Sequence, residues 1–478
     1  MALAPLLVAL STTHRHSFTR AFNLGLITGA VYFTGTLYWI TRVMVVYGGL
    51  QSWVAVLVNG LLIAYLSLFP GLFAVVIWRL SVVFGARALL AVPFAWAATE
   101  LGRTHFLFDG FPWSLLGYSQ VTNLPVAQLA SLFGVYGVSA LVSSTSAAAA
   151  VWMISHDWND RRVALTASIG PLAIVALWGG LRASRAEWTR EGQPVTVGLI
   201  QGNVSEEDRR DDIRSQRAFQ DHLRMTRQAI GGGAELVIWP ESAMTPYRFE
   251  ESVDVTGAIR RLAREARVPI LVGSDQVTRG RPDQWFNSAF LVGADGTDGG
   301  VYRKMHLVPF GEYVPLKNLL FFAAPLVEAV GSGFAAGEVP TVLPVDRHRL
   351  SVAICYEIVY PALVRRFVVG GSELLTTITN DAWFGRTSAP YQHFAQASMR
   401  AIEEGRYLVR AANTGISGIV DPYGRVLERT NIFEPAMIVG RARYLTTTTL
   451  YARYGDVFAY ASVVITAALV VLARRRVQ

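Results

Sequence analysis

Three segments in the second half of this 478-residue chain set reactive side chains directly after apolar runs. ELVIWPESAM is an apolar stretch, then Trp239-Pro240, then Glu241. VYRKMHLVPFGEYVP carries Lys304 and, eight residues on, Glu312. LSVAICYEIVYP carries the sole cysteine, Cys355, followed by Tyr356 and Glu357. A thiol nucleophile needs a group to take its proton and a donor to hold the developing oxyanion. A carboxylate serves as the base if burial raises its pKa. A lysine supplies a compact point charge that a guanidinium does not mimic. Glu241, Lys304 and Cys355 are therefore a sufficient set for acyl transfer through a thioester. No G-x-S-x-G elbow offers a serine alternative. Taken singly, each residue has a plainer explanation. A lone cysteine is more often a small buried hydrophobe, Glu241 an N-cap or turn carboxylate, and Lys304 a solvated charge. Glu312 and Glu357 could pair with the abundant arginines, and His306 and His393 could be satisfied polar side chains. The lysine is nevertheless conspicuous: Lys304 and Lys317 are the only lysines among 43 basic residues.

The elements that must position this set follow from pattern. Residues 194–440 alternate short β-rich runs with helical stretches, which argues for an α/β layered domain. Expected strands are Val195–Gln201, Leu236–Trp239, Ile270–Gly273, Ser288–Val292, Leu350–Ile354, Leu374–Thr379 and Gly418–Val420. Expected helices are Ser215–Ile230, Asp254–Ala266, Tyr360–Val369 and Gln392–Glu404. Glu241 and Cys355 then lie just past strands, where a rigid scaffold commonly presents chemistry.

The first part of the chain is of another kind. Only 13 of the 78 charges fall within residues 1–182, while the whole chain is 52% hydrophobic and 16% charged. A single cysteine excludes an intramolecular disulfide framework and a multi-thiolate zinc site. Crossing a bilayer takes about 20 apolar helical residues. Expected spans are 21–47, 53–78, 86–101, 124–154, 163–181 and 457–473. MALAPLLVALS lacks a basic n-region and reads as a shortened first helix rather than a cleaved signal. If each of the six spans crosses once, the basic clusters at Arg15 and Arg20, Arg79 and Arg87, Arg161-Arg162, and Arg474–Arg476 share one face, the cytoplasmic one. The expected organisation is 1–182 multi-span, 183–455 catalytic on the outer face, and 456–478 a last span with a basic tail.

At the three segments the chain resembles the nitrilase superfamily and its Glu-Lys-Cys triad. The flanking spans, with DGFPWSLLGYSQ, NDAWFG at 380–385 and RAANTGISGIVDPYGRV at 410–426, make it similar to the membrane-embedded apolipoprotein N-acyltransferase family over nearly its whole length. Members of that family usually carry one further span before the region MALAPLLVALS resembles. The resemblance implies an α-helical membrane bundle plus an αββα nitrilase-like domain in a bacterial inner membrane. It assigns Glu241 as general base, Lys304 as transition-state lysine and Cys355 as nucleophile, supported by Glu312, Tyr356, Glu357 and Asn287. It implies no metal and no cofactor. The implied donor is a membrane phospholipid, which leaves an acyl thioester on Cys355. The implied acceptor is the α-amine of a diacylglyceryl-cysteine on an apolipoprotein. Trp239, Trp113, Phe321 and Phe322 are expected at lipid-binding positions, the last two with Leu326 in a lipid-facing lid.

Rival classes are weaker. A tethered amidase acting on a small amide shares the triad but needs neither the GFPW loop nor so many spans. Transport is disfavoured by few intramembrane charges and no inverted repeat. A nucleic-acid role lacks a basic stripe, the net charge of +8 being dispersed. The arginines suit anionic headgroups instead.

Overall fold

The computed structural model describes residues 2–11, 17–107, 109–313 and 333–476. It divides into two compact units: Met1–Arg42, Gln51–Arg185 and Arg453–Gln478 form one, Val43–Leu50 and Ala186–Ala452 the other.

The first unit is helical. Its elements are α1 (Ala4–Ser11), α2 (Phe18–Leu37), α3 (Trp39–Val46, whose second half counts with the other unit), α4 (Ser52–Phe84), α5 (Val92–Arg103), α6 (Ala130–Ile154), α7 (Trp158–Arg185) and the C-terminal helix Val457–Arg475. The backbones of α2 and α4 meet at Gly25 and Gly29. A Cβ on Gly25 would lie 2.3 Å from the Pro70 carbonyl oxygen, and one on Gly29 2.8 Å from Ser67 Cα. Small residues one turn apart permit such an approach where lipid removes the hydrophobic drive between helices. The helix α5 turns back along α4: Phe73 meets Trp96 edge-on at 5.1 Å, and the Tyr65 hydroxyl donates to the Phe106 carbonyl. Among the described residues four helical stretches are long and apolar enough to cross a membrane, or five if the pair Phe18–Leu37 and Trp39–Val46, bent by 52°, is one span. The expected run 21–47 is thus broken near Tyr38. The expected run 124–154 also breaks, because Gly134 has φ 65°.

Among the described residues the second unit holds twelve strands: β1 (Gln193–Gln201), β2 (Leu236–Ile238), β3 (Ile270–Thr278), β4 (Gln284–Val292), β5 (Asp298–Arg303), β6 (Val342–Val345), β7 (His348–Ile354), β8 (Leu374–Thr379), β9 (Leu408–Ala412), β10 (Gly418–Val420), β11 (Val426–Arg429) and β12 (Ala436–Tyr444). They form two six-stranded sheets, β12-β1-β2-β3-β4-β5 and β11-β10-β9-β8-β7-β6. Each sheet has a parallel centre, β1-β2-β3 and β7-β8-β9, flanked by antiparallel strands. Central strands covered on both faces read as unbroken buried runs, as in LLTTIT of β8. The sheets face one another through β1 with β9 and β4 with β7. Helices α8 (Asp212–Gly231) and α9 (Val253–Ala266) cover the first sheet, and α10 (Pro361–Val369) and α11 (Ala389–Glu404) the second. The outcome is a four-layer αββα sandwich. The core beneath α8 and α9 is built from Phe219, Leu223, Val237, Trp239, Ile259, Ile270 and Phe290, all buried.

Candidate active site

Each reactive residue sits where a strand ends or turns. Glu241 follows β2, Lys304 follows β5, and Cys355 follows β7. Cys355 opens a 3-10 turn, Cys355–Val359, with φ +53°. That left-handed backbone is unusual for a side chain with a Cβ. It presents the thiol at a sharp bend of a rigid strand.

The three side chains are brought together and withdrawn from solvent: Glu241 is 6% exposed, Lys304 1% and Cys355 8%. The Lys304 ammonium lies 2.8 Å from Glu312 Oε1 and 3.6 Å from Glu241 Oε1. Glu312 Oε2 accepts from the Val308 N–H, which fixes the second carboxylate. The Asn287 amide donates to both glutamates, at 2.7 Å to Glu241 and 3.2 Å to Glu312. Glu241 Oε2 accepts the Asn380 N–H at 2.7 Å. Burial works against the Lys304 charge, but Glu312, Glu241 and the Cys355 sulfur outweigh it and hold the ammonium above its usual range. Burial pushes the Cys355 thiol up; the Glu241 charge adds to this and Lys304 opposes it. The resting nucleophile is therefore a protonated thiol, which needs a base at the moment of attack.

Glu357 performs a different task. It is fully buried, and its carboxylate accepts from the Tyr302 hydroxyl, the Met305 and His306 N–H groups and the Ile354 N–H. These donors flank Lys304 on one side and Cys355 on the other. Glu357 is a clasp between the two loops. Tyr356 packs its ring on Tyr360 at 5.2 Å and faces His306 at 6.0 Å.

A second buried network joins residues that no sequence spacing links. Asp381 Oδ1 accepts from the Thr379 hydroxyl and lies 3.1 Å from His393 Nδ1; its Oδ2 accepts from Arg410 Nη2 at 2.9 Å. His393 Nε2 is 3.1 Å from the Cys355 carbonyl oxygen. A carbonyl only accepts, so Nε2 carries the proton. Burial, reinforced by Arg410, lowers the His393 pKa and keeps the ring neutral. Nδ1 then accepts from Arg410, 3.0 Å away. The imidazole thus anchors the strained Cys355 backbone and is not placed as a base. The motif NDAWFG was visible, yet nothing in its spacing linked it to His393 or Arg410. Tyr47, from the segment between α3 and α4, donates to the Ala382 carbonyl and meets the Trp383 ring at 4.9 Å.

The expected lipid-binding tryptophans require correction. Trp239 is fully buried in the α8–β2 core, its Nε1 donating to the Thr226 hydroxyl and its ring against Phe219 and His222. It directly follows the central strand β2 with its ring turned into the packed layer beneath α8, so it does not face lipid. Trp113 is 1% exposed within the first unit, its ring tilted by 50° against Trp39 at 5.2 Å. Its loop is held by Arg103, which donates to the carbonyls of Phe111, Trp113 and Ser114, and by Glu100, which accepts the Leu116 N–H. Phe321, Phe322 and Leu326 lie outside the described residues.

The αββα sandwich that buries Cys355, Glu241 and Lys304 is the part of the chain that the family model described as carbon-nitrogen hydrolase matches, over residues 196–444. A second model, the apolipoprotein N-acyltransferase N-terminal domain, matches residues 1–148. Apolipoprotein N-acyltransferase of Geobacter metallireducens is 38% identical across 100% of this chain and 91% of its own length. That of Methylococcus capsulatus is 35% identical across 92% and 84%. Among solved structures, a carbon-nitrogen hydrolase from Helicobacter pylori aligns at 17% identity and TM-score 0.41, covering 52% of this chain and 89% of its own. The chain belongs to the apolipoprotein N-acyltransferase family.

Proposed function

We propose that this chain is an N-acyltransferase that moves an acyl group from a membrane phospholipid to the α-amine of a lipoprotein's diacylglyceryl-cysteine, by way of a thioester on Cys355. The observation that carries this reading is the buried Glu241–Lys304–Glu312 cluster, electrostatically coupled to Cys355, in a chain that also holds long apolar helices. In the first half-reaction Glu241 takes the thiol proton as sulfur attacks the ester carbonyl, and Lys304 holds the oxyanion. The C–S bond forms, the ester C–O bond breaks, and Glu241 returns the proton to the departing lysophospholipid alkoxide. In the second the amine attacks the thioester carbonyl, the C–N bond forms and the C–S bond breaks. The amine proton passes to Glu241 and on to the sulfur. Exclusion of water protects the thioester between the two steps. Glu312 holds the lysine, Asn287 spaces the two carboxylates, and Glu357 aligns the two loops.

The acyl-enzyme is the testable intermediate. Protein mixed with phospholipid vesicles should gain one acyl mass, mapped by proteolysis to Cys355, and Cys355→Ala should gain none. Since no other thiol exists, an adduct retained in Cys355→Ala overturns the thioester route. A tethered amidase would instead release ammonia from small amides and acylate no lipopeptide. The basic clusters favour a multi-pass inner-membrane protein with the catalytic unit outside. A reporter fused at Gly293 should therefore be active only outside the cytoplasm, and cytoplasmic activity would reverse the assignment.

A further inference from the structure

Beside the reacting groups lies an acid that the mechanism above does not use. Asp275 on β3 stands directly opposite Asn287 on β4 in the antiparallel register, so the two side chains share one face of the sheet. Asp275 is half-buried, and among the described residues the one side chain that donates to its carboxylate is the Ser242 hydroxyl, at 3.4 Å. Burial within the site raises this carboxyl to about 6; Arg209 opposes the rise, and Glu241 and Glu312 add to it.

Asn287 supplies a second, independent sign. Its neighbours Glu241 and Glu312 are carboxylates in contact with one and the same amide group, which must therefore be the NH2. This orients Oδ1 away from them. The residue is 3% exposed, and Oδ1 has no hydrogen-bond partner among the described residues. A buried acceptor left without a protein donor is able to take one from a bound N–H group. The local charge points the same way. Glu241, Glu312 and Asp275 oppose the single Lys304, while Arg209 is engaged by Glu206 at 3.6 Å and donates to the Ser242 carbonyl. The site thus presents acceptors and surplus negative charge.

We infer that Asp275 and Asn287 Oδ1 form the recognition point for the cationic α-amine of the acceptor, holding its N–H groups beside Glu241. A phospholipid ester brings no N–H to its reacting carbon, whereas an ammonium brings three. Asp275 binds and orients the ammonium and takes the one proton it sheds to become a nucleophile, and Glu241 remains the base for the proton lost on attack. This inference rests on the acyltransferase reading and adds a subsite to it.

The test uses full-length protein in detergent. In the Cys355→Ala background, binding of a diacylglyceryl-cysteine peptide is compared with that of the same peptide carrying a hydroxyl in place of the α-amine. The free amine should bind at least about tenfold more tightly, as expected for charge-assisted hydrogen bonds. Equal affinities overturn the inference without recourse to any Asp275 variant. Asp275→Asn in that background should shrink the preference to under about threefold; an undiminished preference also overturns it. With Cys355 intact, Asp275→Asn should raise KM for the peptide at least about tenfold, while Asp275→Glu recovers part of the loss. Equal slowing of Cys355 acylation and of transfer would mark a merely structural role. Failure of the unaltered protein to form any acyl adduct would sink the acyltransferase reading itself, a result distinct from a lost amine preference.

Discussion

Glu357→Gln isolates the clasp between the nucleophile turn and the lysine loop. Three donors converge on Oε1, from Tyr302, Met305 and His306, and one on Oε2, from Ile354. Burial raises the Glu357 carboxyl to about 7, against opposing hydrogen bonds from Ile354 and Tyr302. The protonated acid can survive in this nest, because its single hydrogen can face a Tyr302 hydroxyl turned to accept. An amide cannot do so. Its NH2 must meet either the Met305 and His306 N–H groups or the Ile354 N–H. The less costly choice abandons Ile354 and leaves one buried N–H unmet, about 1–3 kcal/mol. Replacing charge-assisted bonds by neutral ones adds about 1 kcal/mol or more. The expected destabilisation is about 2–4 kcal/mol. The loops that carry Lys304 and Cys355 would drift apart, and a misplacement of about 1 Å costs on the order of a hundredfold in rate. Denaturant unfolding in detergent measures the first quantity, and the rate of acyl adduct formation on Cys355 the second. An unchanged midpoint together with acylation within about threefold would refute the clasp.

Lys304→Arg keeps the charge but sets a planar fork into a pocket that leaves the ammonium 1% exposed; acylation should fall about a hundredfold or more while the protein still folds, and a near-normal rate would reduce the residue to a plain charge. His222 gives a pH signature: burial lowers its pKa to about 4, its Nδ1 is 2.7 Å from the Ala218 carbonyl, and its Nε2 is buried without a partner among the described residues. An unfolded imidazole takes a proton below about 6.5 and the native one only near 4, so stability is present above 6.5 and is lost as pH falls between these values, by on the order of 3 kcal/mol. His222→Phe should flatten that part of the stability–pH curve, and an unaltered slope would assign it elsewhere.

The legible parts of this molecule are those governed by local rules. Strands such as Leu374–Thr379 and Gly418–Val420 coincide with their expected bounds because they are buried at every position and rich in β-branched residues. Cys355 and Lys304 stood out as scarce residue types, and Glu241 and Cys355 because they lie just past such strands. The missed strands have the opposite character: β5 begins DGG, β11 is exposed throughout, and β12 carries arginines on an alternating edge. Strand β9 hid because Arg410 in its middle is fully buried, and only the tertiary partners Asp381 and His393 make that burial tolerable. Trp239 misled for a related reason. An aromatic beside a catalytic glutamate suggests a substrate wall, but its direction is set by the packed layer beneath α8 and by the Thr226 hydroxyl.

The ladder between β1 and β12 bears on how the chain is made. Gln193–Gln201 pairs residue for residue with Ala436–Tyr444, more than two hundred positions downstream. At about 5–20 residues per second, β1 leaves the ribosome roughly ten to fifty seconds before its outer neighbour exists. Throughout that interval one margin of the nascent sheet offers unpaired N–H and C=O groups to any passing strand. Such distant pairing also slows the final closure, since a long loop must be ordered before its contacts return any stabilisation. The maturing enzyme therefore has a window in which a holdase shielding β1 would raise its yield most, and a chain halted before Ala436 would be a ready substrate for proteolysis.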